Sequence, residues 1–74
     1  MTPASTRKAI AANIEVMGEL LLDAVQKVGI ADEAISKGEQ NQAIGAMHNI
    51  EQDLEYALAL YRAAIALHRA GRAP

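Results

Sequence analysis

A chain of 74 residues has room for one small core and little for a separate substrate pocket. It has no cysteine, which removes disulfides and thiolate metal sites, and a net charge of -2 with a pI near 5.5 argues against a strongly basic nucleic-acid binder. No signal-like segment and no run of about 20 apolar residues is present, so the reading is a soluble, cytoplasmic protein without a membrane span.

Alanine and leucine are abundant, aromatics are only 3%, and the two prolines, Pro3 and Pro74, leave the interior unbroken. The expected class is all-α. Thr2 before Pro3 can open the first helix, as can Ser5 or Thr6 a little later. Ile10, Ile14, Met17, Leu21, Ala24 and Val28 then follow at alternating steps of four and three, an apolar seam on one helix face. Gly29 follows Val28 where a left-handed cap would suit glycine, which puts helix one at about residues 4–28, with Asp32 free to cap the next element.

Residues 29–38 read as a turn, a short helix or a kink, ending at Gly38. From about residue 39 to 70 a second seam runs through Ile44, Met47, Glu51, Leu54, Leu58, Tyr61, Ile65 and His68. The two helices form an antiparallel hairpin. At 1.5 Å per residue they measure about 36 and 48 Å, so helix two overhangs at its C-terminal end. That overhang holds "ALALYRAAIAL", residues 57–67, which is apolar on every side and calls for cover on more than one side. The expected architecture is therefore a single helical domain that assembles as a homodimeric four-helix bundle, with Leu54, Leu58, Tyr61 and Ile65 at the oligomer interface. A three-helix monomer broken near Gly38 and again near Gln52 is the competing layout.

Ile44, Gly45, Ala57, Tyr61 and Ala64 fall at spacings that resemble the tetratricopeptide repeat, and "QDLEYALALYRAAIAL" is similar to its second helix. His48 and Arg69 depart from that pattern, and such units bury their faces only against neighbouring copies, of which these residues supply none.

All nine acids lie between Glu15 and Glu55, whereas Arg7, Lys8, Arg62, Arg69 and Arg72 lie outside that span. A hairpin brings these five cations together at its open end and leaves its middle and turn acidic. Two copies would then avoid placing open end against open end. The basic end could hold nucleic-acid phosphates, but no aromatics interleave it for base stacking.

Glu51, His48 and His68 are the polar members of the second seam. With Glu55, the pair His48 and Glu51 has a spacing from which a bundle could build a metal site, although the order is the reverse of the usual Glu-x-x-His. The simpler role is a polar layer that sets register, with Glu51 partnered by His48 or by Arg62 of a neighbouring chain. No nucleophile set and no glycine-rich phosphate loop is present, so neither catalysis nor a cofactor is expected. The functional reading is a self-associating interaction module, such as an adaptor, inhibitor or regulatory subunit, whose partners are itself and another protein met by an acidic helical surface.

Overall fold

Thr2 opens the first helix by accepting a hydrogen bond from the Ser5 amide at 3.1 Å, while Pro3 fills the first helical position, where its missing N–H costs nothing. The computed structural model, which describes residues 2–72, shows helix α1 at Pro3–Ser36, α2 at Gln40–Ala46 and α3 at Ile50–Arg72. All regular structure among the described residues is helical. α2 and α3 form a bent second arm that returns antiparallel along α1.

Helix one does not stop near residue 28. Gly29 lies inside α1 with no left-handed backbone, and Asp32 is a helical residue rather than a cap. A mid-helix glycine costs about 1 kcal/mol, which is offset here because Ala31 and Ala34, just beyond it, are buried against Ala43 of α2. The stop comes at Gly38, whose φ of 77° is the only positive value among the described residues. There the Glu39 amide donates to the Ala34 carbonyl and the Gly38 amide to that of Ile35, each at 3.0 Å, the paired reverse bonds of a Schellman cap. The turn is thus residues 37–39, in place of the expected 29–38.

The second arm is also not one helix over 39–70. It breaks at residues 47–49, between the two positions the sequence offered, and the Ile50 amide reaches back to the Met47 carbonyl at 3.0 Å. The two arms are nearly equal in length. The expected overhang is therefore absent: Thr6 near the start of α1 packs against Gly71 near the end of α3, where an added Cβ would stand 3.3 Å from Thr6 Cγ2. Residues 57–67 are covered on one side by the N-terminal half of α1, because α1 runs the length of the hairpin.

The arms meet along one heptad seam each. On α1 it passes through Thr6, Ile10, Asn13, Met17, Leu20, Ala24, Lys27, Ala31 and Ala34; on the second arm it passes through Ala43, Ala46, Ile50, Asp53, Ala57, Leu60, Ala64 and Leu67. Its buried apolar members are six alanines, and no large side chain among the described residues is fully buried. Alanine brings backbones close but removes little apolar surface from water, about 0.8 kcal/mol per buried carbon against about 1.5–3 kcal/mol for a whole Leu or Ile side chain. The molecule is a rod of 58 × 14 × 12 Å, with a radius of gyration of 17.0 Å where a globular chain of this length would have roughly 11 Å.

The two glycines separate cleanly by substitution. Gly29→Ala, with open space around its Cβ, should raise stability by about 0.5–1 kcal/mol, whereas Gly38→Ala, forced into the left-handed region, should lower it by about 1–2 kcal/mol. Urea unfolding of the three proteins checks both signs.

Candidate functional site

Successive residues of an α-helix are turned by about 100°, so the positions one step after a packed seam point to its side. On α1 these positions are Arg7, Ala11, Ile14, Gly18, Leu21, Val25, Val28, Asp32 and Ile35; on the second arm they are Ile44, Met47, Glu51, Leu54, Leu58, Tyr61, Ile65 and His68. Because the arms are antiparallel, the same step turns in opposite senses when viewed from one end, and both sets emerge on the same side of the hairpin. Met47 marks the join: it lines one groove with Val28, Asp32 and Ile35 of α1, and another with Glu51, Leu54 and Leu58 of α3.

This side carries ten of the fourteen exposed large apolar side chains among the described residues: Ile14, Leu21, Val25, Val28 and Ile35 from α1, and Ile44, Met47, Leu54, Leu58 and Tyr61 from the second arm. Leu58 is 45% exposed and Tyr61 51%. Four residues expected at an interface, Leu54, Leu58, Tyr61 and Ile65, fall here together, Ile65 being half-buried and the others exposed. In α1, Ile10, Met17 and Ala24 of the expected seam face the second arm, while Ile14, Leu21 and Val28 face outward on this side.

The polar residues singled out from the sequence lie at the surface. Glu51, His48, Glu55 and His68 are all exposed, the first three around the groove floored by Met47, Ile50, Leu54 and Leu58. No three His, Asp or Glu side chains gather into a metal-holding group among the described residues. Arg7, Lys8, Arg62 and Arg69 are exposed towards the open end of the hairpin, and the side chain of Arg72 lies outside the described residues. No described helix is long and apolar enough to cross a membrane.

A different ionic cluster sits inside the hairpin, and the sequence reading did not single it out. Lys27 Nζ lies 3.0 Å from Asp53 Oδ2 across the seam and 2.7 Å from Asp23 Oδ2 one turn back on α1. Asp53 is 8% exposed. The bond from Lys27, with Asp53 second, holds the Asp23 carboxyl below its ordinary 3.8, and the bond to Asp23, then Asp53, raises Lys27 above 10.5. The available signal was the alternation of small and apolar residues through Ile50, Ala57, Leu60, Ala64 and Leu67, which places Asp53 in phase with that run.

No protein-family model, curated protein or solved structure significantly matches this chain.

The cluster implies a pH window. Asp23, lowered in the folded state, contributes stability above its ordinary 3.8 that is lost as pH falls through its folded value, while Lys27, raised, contributes below 10.5 and loses it as pH rises through its folded value. Thermal unfolding against pH should show a midpoint falling at both ends of this window. In Lys27→Met both ends should flatten, with a lower midpoint at neutral pH because Asp53 is left without its cation.

Proposed function

We propose that this protein is a non-catalytic, self-associating helical module, a homodimer whose two hairpins close into a four-helix bundle. The observation that carries the reading is the single apolar side just described, on a hairpin whose own buried apolar residues are all alanines among the described residues. A surface of ten large apolar side chains is far more than the scattered exposure normal for a monomer. The accessible area points the same way. At 5657 Å² it exceeds by roughly 1,200 Å² the ~4,400 Å² expected of a globular chain of 7.9 kDa, more than the ~800 Å² that each partner buries in a standard interface.

Glu15 and Glu19 are exposed and lie off the apolar side, and Glu55 stands at the rim of its groove, so pairing of two copies leaves an acidic outer surface for a further protein. An adaptor, inhibitor or regulatory role, in the cytoplasm, fits such a surface. The dispersed placement of His48, Glu51 and Glu55 around an open groove does not support the metal-binding alternative, and the modest cluster of exposed cations at the open end does not favour nucleic acid over protein.

At micromolar concentration, light scattering should give at least twice the 7.9 kDa chain mass, and a clean monomer that stays folded on dilution would sink the reading. Leu58→Asp should place a charge in the apolar layer, dissociate the oligomer and remove much of the helical circular-dichroism signal, since the alanine seam alone has little reserve.

A further inference from the structure

Two identical hairpins laid face to face can be related by a twofold axis in only two ways. With the axis along the helices, the open ends lie together and α1 covers α3 of the partner. With the axis across the helices, the open ends lie at opposite ends of the bundle and α1 covers α1 of the partner.

The apolar side carries four ionisable groups that distinguish these arrangements. Arg7 and His68 lie at its open end, Asp32 and Glu51 towards the turn, and all four are exposed with no ion pair among the described residues. Axial levels follow from the Thr6–Gly71 and Lys27–Asp53 contacts, which set His68 about level with Ile10 and Glu51 about level with Val28. Open ends together would therefore stack Asp32 near the partner's Glu51, acid over acid, and Arg7 near the partner's His68. Open ends apart reverses both.

We infer that the homodimer is antiparallel, with Arg7 against Asp32 of the partner subunit and Glu51 against His68 of the partner subunit. The orientation rests on the homodimer proposed above. One register satisfies both pairs at once, because the midpoint between Arg7 and Asp32 on α1 is level with the midpoint between Glu51 and His68 on the second arm. The same register sets Leu58 against the partner's Tyr61, Leu54 against the partner's Ile65, and Gly18 against the partner's Leu21, an apolar contact at each of these levels. It also centres α1 on its copy, since the midpoint of Pro3–Ser36 is the same level, and the two rods overlap from end to end. Charge and helix length thus converge on one arrangement.

The chain has no cysteine, so a single Cys introduced at Lys8, an exposed position off the apolar side, can carry one spin label per subunit. In the assigned register the two labelled positions stand about 23 residues apart along the bundle, and pulsed electron resonance should read about 35 Å at 1.5 Å per residue. Open ends together would put the labels within roughly 20 Å, the width of a bundle with helices ~8–10 Å apart, and would overturn the orientation while leaving the homodimer intact. A value near 25 or 45 Å would overturn the register by one heptad. A monomer's mass with no intersubunit distance would overturn the homodimer itself. Independently, Arg7→Glu should weaken the dimer about tenfold, counted over two symmetric sites, and Asp32→Arg in the same chain should restore it. A dimer that tightens on Arg7→Glu, or ignores it, overturns the pairing.

Discussion

The alanine seam between α1 and the second arm is the constraint on which the rest of the molecule depends. Ala24, Ala31, Ala34, Ala43, Ala57 and Ala64 are its most buried apolar members and let the two arms approach closely there, while the larger seam residues Ile10, Met17, Leu20, Ile50, Leu60 and Leu67 stay only half-buried. A residue one position after the seam is turned by about 100° and points to its side, which is where most of the exposed large leucines and isoleucines fall.

Within that seam the polar members have a different physical job from the alanines. An apolar heptad seam tolerates sliding by one repeat, because alanine against alanine is nearly the same contact at each step. Lys27 facing Asp53 removes that freedom, since a slide would leave a mostly buried carboxylate without its cation. Asp23 completes the cluster from the solvent side, giving Lys27 two carboxylates and keeping the ammonium directed at the seam. Thr6 against Gly71 fixes the same register at the far end.

The bend in the second arm also has a structural consequence for the apolar side. At residues 47–49 the helix is interrupted, yet Met47 still lines both the α2 groove and the α3 groove, so the outward apolar surface continues across the break. Both halves of the arm keep to α1 although they are not one helix. Local hydrogen bonding is interrupted here while the side-chain pattern is not.

Much was legible in the residues alone. Steps of three and four declared helices, Gly38 marked a break, and the opposed charge of the two ends of the hairpin followed from where the nine acids fall. The outward seam of the second arm, with Leu54, Leu58, Tyr61 and Ile65, was also traced directly, because large apolar residues dominate any count of periodicity. What the sequence by itself determined is therefore the class of the fold and the face rich in large apolar groups. Which of two adjacent seams packs inside the chain was decided only in three dimensions: Ile10, Met17 and Ala24 belong equally to a seam through Ile14, Leu21 and Val28 and to one through Asn13, Leu20 and Lys27. The second packs inside, where its partners across the hairpin include Ala43, Ala57 and Ala64 and the Asp53 that pairs with Lys27. Gly29 was decided in the same way, since a local preference worth about 1 kcal/mol yields when the residues on both sides of it pack against another helix.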